Sequence, residues 1–229
     1  MADNKKKAPV KLIKKPYLRG KAYDASVIKS SLALFGSLFL VMFAFLLLGM
    51  MMIFDNKIIS ILLNLILLLG CYVVFYSSGM ARGTTGVNQG EILYHREQIG
   101  TSYTQVERDA CFHPAKGFII GLLGTVPVFL VTLVFACITQ RQMTSMGALP
   151  SWVSGLTSHE EVTAPVAYYT VTSGMTVTDI LRVFVRMNVM PFVNMIGSTD
   201  LDAMLILERV SPVLVLLPGI SYGIGYTRG

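Results

Sequence analysis

Long uncharged apolar runs alternate with short polar breaks along this chain, and three runs stand out. Residues 31–54 hold 24 positions without a charge, residues 58–76 hold 19, and residues 118–139 form a third run. About 20 apolar residues in a helix cross the roughly 30 Å hydrocarbon layer of a bilayer. Each run therefore predicts a membrane span. Only Asp55, Asn56 and Lys57 separate the first two, which predicts a tight helical hairpin.

A fourth run, VSPVLVLLPGISYGIGY over 210–226, is apolar but carries Pro212, Pro218 and three glycines. Membrane helices tolerate both residue types better than soluble ones do. Upstream, Thr199-Asp200-Leu201-Asp202 resembles a helix-capping sequence, so the helix is expected to start near Asp200 and run inward through Glu208 and Arg209. Residues 178–197 follow a different period. Asp179, Arg182 and Arg186 fall at i, i+3 and i+7, while Ile180, Leu181, Phe184 and Val185 lie largely elsewhere, and Pro191 interrupts the pattern. This predicts an amphipathic helix in the outer interface, lying flat or dipping partway and returning. A fifth span is the weaker alternative, because each arginine costs roughly 2.5–3.5 kcal/mol at mid-membrane on insertion scales. The expected fold is all-α and polytopic: four transmembrane helices plus one interfacial amphipathic helix.

Composition agrees. The 229 residues are 53% hydrophobic and 14% charged, with mean hydropathy +0.62. A soluble domain carries about 25% charged residues, so a soluble enzyme, a disulfide scaffold and a disordered protein are excluded. Charge fixes the expected orientation. Nine Lys and Arg precede position 31, four lie in 77–117, and Arg228 closes the chain, against five in the remaining connections. The excess of basic residues marks the cytoplasmic side. Both termini are therefore expected in the cytoplasm, in the plasma membrane of a bacterial cell.

The predicted organisation is a basic cytoplasmic tail over 1–30, the hairpin over 31–76, a cytoplasmic loop over 77–117, the third helix over 118–139, an outer loop over 140–200 and the fourth helix with the C-terminus over 201–229. The tail holds Pro9 and Pro16 and few large apolar residues, so it is expected to be flexible and to adhere to anionic headgroups. Specific nucleic-acid binding is not expected. In the loop, Gly79, Gly83, Gly86, Gly90 and Gly100 are expected to break the chain into turns, with a short helix or strand near 91–97.

Candidate chemistry is sparse. His95, Cys111 and His113, with Glu107 or Asp109, lack the paired ligand spacing of zinc sites, so neither metal nor cofactor is assigned. His159-Glu160-Glu161 fails the HExxH pattern because position 163 is Thr. The candidate functional charges are Arg182, Arg186, Glu208 and Arg209, and Asn64 is the most polar mid-membrane side chain. Glu208 and Arg209 are neighbours and so point apart on a helix; one of them is expected to meet Arg182 or Asp179.

The strongest positive signal is small-residue spacing. Gly117-x-x-x-Gly121 opens the third span with Gly124 on the same face, and Gly219-x-x-x-Gly223 and Gly225-x-x-x-Gly229 close the fourth. Such spacing lets helix backbones approach closely. These observations favour a non-enzymatic accessory or structural subunit of a membrane complex, packed against a membrane-protein partner or a second copy of itself. A small oligomeric channel or transporter is the alternative.

Overall fold

The computed structural model describes residues 17–51, 56–139, 177–197 and 200–229, and among them every regular element is helical. Four helices are long and apolar enough to cross a membrane: α1 (Ala25–Met51), α2 (Lys57–Gln98), α4 (Lys116–Ile138) and α7 (Leu201–Arg228). Among the described residues, three shorter helices accompany them: α3 (Gln105–Asp109), α5 (Val177–Asn188) and α6 (Met190–Ile196). The chain is a polytopic membrane protein. Residues 1–16 of the basic tail and 140–176 of the outer loop, including Trp152 and His159, lie outside the described residues.

Side chains start the helices locally. Asp24 opens α1 by accepting from Val27 N at 3.2 Å. Asn56 opens α2 by accepting from Ile58 N at 3.0 Å, and Asp200 opens α7 by accepting from Ala203 N at 3.0 Å. Each supplies an oxygen to amide groups that have no partner inside the helix. Pro212 lies within α7 and lacks the N–H that would bond the carbonyl of Glu208. Ser211 Oγ donates to that carbonyl instead, at 2.8 Å. The helix continues.

The second helix departs from expectation. It runs 42 residues, about 63 Å at 1.5 Å per residue, twice the thickness of the hydrocarbon layer. The segment expected to be a loop of turns is therefore helix as far as Gln98, and Gly100, with φ near +80°, follows its end. Gly79, Gly83, Gly86 and Gly90 do not break it. They recur at i, i+4, i+7 and i+11 and form one buried seam. A Cβ on Gly79 or Gly83 would strike the carbonyl oxygen of Tyr222 or Tyr226 on α7. On Gly90 it would stand 2.6 Å from the carbonyl of Leu18. Backbone contact along this seam outweighs the roughly 1 kcal/mol by which each glycine disfavours a helix relative to alanine.

Residues 17–24, expected to be flexible, are held against the same seam. Leu18 N donates to Gly90 O at 3.2 Å, Gly20 N to Phe112 O at 3.1 Å, and Phe112 N to Gly86 O at 3.2 Å. Phe112 stacks on Tyr226 with 5.3 Å between ring centroids. The N-terminal segment, the far half of α2, the 101–115 connection and the C-terminus thus meet at one end of the bundle.

Helix order follows where small residues permit close approach. α7 packs along both α4 and α2, and α1 packs on α4. The spatial row is α1, α4, α7, α2. The two arms of the expected tight hairpin share no extended contact, and α6 lies against both of them.

Candidate functional site

The amphipathic element enters between these separated helices. Pro191 cannot continue α5, so the chain turns at Val189, whose carbonyl accepts from Phe192 N and Val193 N to start α6. Asn188 Nδ2 covers the carbonyl of Phe184 at 2.8 Å and meets Met42 Sδ at 3.3 Å. Phe184 lies beside Phe39. Both α1 residues sit near the middle of the 31–54 apolar run. On the way back, Asn194 Nδ2 donates to Gly49 O at 2.8 Å, near the end of α1, and to Asn64 Oδ1 at 3.3 Å. Relative to α1, the pair thus reaches the level of Phe39 and Met42 along α5 and returns to that of Gly49 along α6. Neither α5, with 12 residues, nor α6, with 7, could cross a bilayer. Non-helical backbone at such depth requires a protein surround, and α1, α2, α4 and α7 supply it.

The charged face of α5 meets α7. Glu208 is 2% exposed, and both of its carboxylate oxygens are occupied. Thr139 Oγ1, at the end of α4, donates to Oε2 at 2.6 Å. Arg186 reaches Oε1 through Nε at 2.9 Å and Nη2 at 2.7 Å. Arg182 Nε lies 3.3 Å from Oε1 and 3.5 Å from Oε2, while its Nη1 lies 3.4 Å from Asp179 Oδ1. Its guanidinium also sits 5.6 Å from the centre of the Phe135 ring, a favourable placement over the negative face of an aromatic. Two arginines and two carboxylates balance in charge. A carboxylate has about four acceptor sites, and these contacts use them.

Three of the four candidate charges thus converge, together with Asp179. Arg209 does not: it is exposed, turned about 100° around α7 from its neighbour. Asn64 is fully buried and bonds Ser60 O at 2.8 Å as well as Asn194. Thr139, Phe135, Asn188 and Asn194 carry no signal of site membership in the sequence, because each acquires its role only through a partner on another helix.

The glycine pairs also meet within the chain. A Cβ on Gly121 would strike the carbonyl of Gly219, and one on Gly219 would stand 2.7 Å from the carbonyl of Gly121. Gly117 lies under the Tyr226 side chain, Gly124 against Leu34 and Gly223 against Phe118. The contacts at Gly117, Gly121, Gly219 and Gly223 set the α4–α7 crossing, and that at Gly124 seats α1 on α4.

At the opposite end of the bundle, Lys116 is 3% exposed and lies 3.3 Å from Asp24, with its Nζ donating to Asp109 O at 2.9 Å. Lys21 pairs with Asp109 at 2.8 Å, and that hydrogen bond holds the aspartate below its ordinary pKa. Glu107 is held low by the backbone amide and hydroxyl of Thr104, with which it forms a capping box. Burial pushes the Cys111 thiol up, which disfavours the reactive thiolate. His95 is exposed on α2, and His113 accepts from Ala115 N. Among the described residues, no three His, Cys, Asp or Glu side chains come together as a metal set.

No protein-family profile matches this chain, and neither a curated protein nor a solved structure is detectably similar to it.

Proposed function

We propose that this chain is a non-enzymatic, multi-pass subunit of the bacterial plasma membrane, an accessory or structural component of a transport or envelope complex. Glu208 carries the reading. Its carboxylate is saturated by Thr139, Arg182 and Arg186, so it serves as an internal latch that fastens the returning α5–α6 pair to α4 and α7. A carboxylate with its acceptor sites filled from within offers nothing to a passing solute. One face of α1 meanwhile stays open: Leu32, Leu40, Leu47 and Met50 are each more than 60% exposed, a surface for lipid or for a partner helix. The basic residues of the tail add attraction to anionic headgroups on the cytoplasmic side, about 1 kcal/mol for each one close to the surface.

The second reading, a small oligomeric channel or transporter, draws on one observation. A returning helix pair that places Arg182 and Arg186 within the bundle resembles the broken helices that line solute paths. Gentle extraction with identification of the co-purifying proteins, alongside flux in liposomes, separates the two readings. Under the subunit reading, Arg209→Gln and Glu208→Gln alter which proteins co-purify and leave flux at the background of empty liposomes. A specific flux from the parent that these substitutions change would favour transport.

A further inference from the structure

Arg209 stays outside the latch, yet it lies well within the apolar part of its helix. α7 carries no charge from Ala203 to Tyr226 except Glu208 and Arg209. It runs alongside α2 in the same direction, with Gly79 against Tyr222, Gly83 against Tyr226 and Gly225 against Tyr76. That register sets Arg209 level with Leu63, roughly six residues or about 9 Å inward of Lys57, where α2 begins. Arg209 is exposed, in one stripe with Ile206, Val213, Ile220 and Ile224, which are 42–63% exposed. Among the described residues it has neither an ion pair nor a side-chain hydrogen bond. We propose that this stripe docks a transmembrane helix of another protein, which sets an aspartate or glutamate against Arg209. The proposal rests on the subunit reading above and names where one partner binds.

Charge and depth select this occupant. Arginines inside spans almost always face the bundle interior or pair with another charge. Arg209 faces outward, so its counter-charge comes from another molecule, and in hydrocarbon a facing carboxylate attracts it far more strongly than in water. Bilayer phosphate is too distant. An arginine arm, six bonds of about 1.5 Å in a zigzag, reaches about 7 Å. That falls short of the outer end of the α2 apolar run and of the headgroup layer beyond it. A second copy of this chain does not supply the carboxylate either. The runs over 31–54, 58–76 and 118–139 hold no Asp or Glu, and Glu208 is saturated from within. Two copies insert with the same orientation, so their α7 stripes would set Arg209 against Arg209. The stripe itself has the form of a helix seam: Ile206, Val213 and Ile220 recur every seven residues, with Arg209 between the first two.

Photocrosslinking in cells tests the site on the intact chain. The photoreactive residue benzoylphenylalanine replaces Ile206 or Val213 on the stripe, or Leu40 on the open face of α1 for comparison. Expected from Ile206 and Val213 is an adduct with one protein whose span carries an Asp or Glu in its outer half. Arg209→Leu should abolish that adduct and Arg209→Lys should keep it. Exchanging the charges, with Arg209→Glu here and arginine in place of the partner's carboxylate, should restore it, which misfolding would not allow. Adducts with phospholipid only, with a second copy of this chain, or with a protein lacking an intramembrane carboxylate overturn the proposal. So does an adduct that Arg209→Leu leaves unchanged. If Leu40 crosslinks to another protein while the stripe meets only lipid, this site falls and the subunit reading stands. Protein adducts at none of the three positions would remove both.

Discussion

Arg186 and Glu208, 22 positions apart in sequence, meet through two nitrogens on one carboxylate oxygen, at 2.9 and 2.7 Å. Breaking a buried pair from one side leaves a charge uncompensated, which costs about 3–5 kcal/mol. Glu208→Gln should therefore lower thermal stability in detergent far more than Arg209→Gln, whose side chain is exposed. Adding Arg186→Gln to Glu208→Gln should recover part of the loss, since it removes one stranded charge. Equal melting of Glu208→Gln and the parent would show that the cluster is not a latch.

Gly121 and Gly223 are expected to be intolerant of bulk. Leucine at either should weaken the α4–α7 crossing by about 1–3 kcal/mol, as overpacking does in other cores. Gly36 and Gly70 are internal controls, because a Cβ at either position meets nothing within 4 Å. Leucine there should leave the melting temperature in detergent unchanged or raise it.

The seam on α2 permits a test of sign. Alanine is the better helix former by about 1 kcal/mol, so Gly83→Ala would stabilise an isolated helix. Its methyl group would instead meet the carbonyl of Tyr226. Stability measured by thermal unfolding is expected to fall, and a rise would mean that α2 and α7 do not approach so closely.

The Lys21–Asp109 pair should loosen in acid. Its folded-state aspartate pKa lies below the ordinary value, so the pair contributes above the unfolded pKa and the contribution is lost as pH falls through the folded one. Exchange of the Gly20 amide, corrected for its intrinsic pH dependence, should accelerate as pH drops below the ordinary aspartate range. Asp109→Asn should exchange faster already at neutral pH and lose this acid-dependent step.

Orientation is testable with thiols. A membrane-impermeant reagent applied to intact cells should miss an added C-terminal cysteine and label one placed at Ser158. Labelling of the C-terminal cysteine from outside would overturn the cytoplasmic placement of both termini.

Much of this architecture is legible one segment at a time. The four spans follow from uncharged length against bilayer thickness, the charged face of α5 from its 3.6-residue period, and the glycines of α4 and α7 from their four-residue spacing. The glycines of α2 recur every three or four residues on one face, yet each weighed alone reads as a helix breaker. Their low propensity is a local cost of about 1 kcal/mol apiece, whereas the compensating contacts come from Leu18, Phe112, Tyr222 and Tyr226 on other segments. The same reason hid the ordered residues 17–24, since polar composition describes a segment's own preference and not the seam it rests on.

By itself, then, the sequence determined the class, the number of spans and the side chains able to pack or bear charge, because these depend on properties within one turn or one span. Tertiary structure alone decided the order α1, α4, α7, α2, the depth of the turn at Val189 and the choice of Glu208 over Arg209 as partner to Arg182 and Arg186. Those outcomes rest on contacts between residues 22 to 149 positions apart, where geometry selects among many chemically equivalent pairings and no local pattern ranks them.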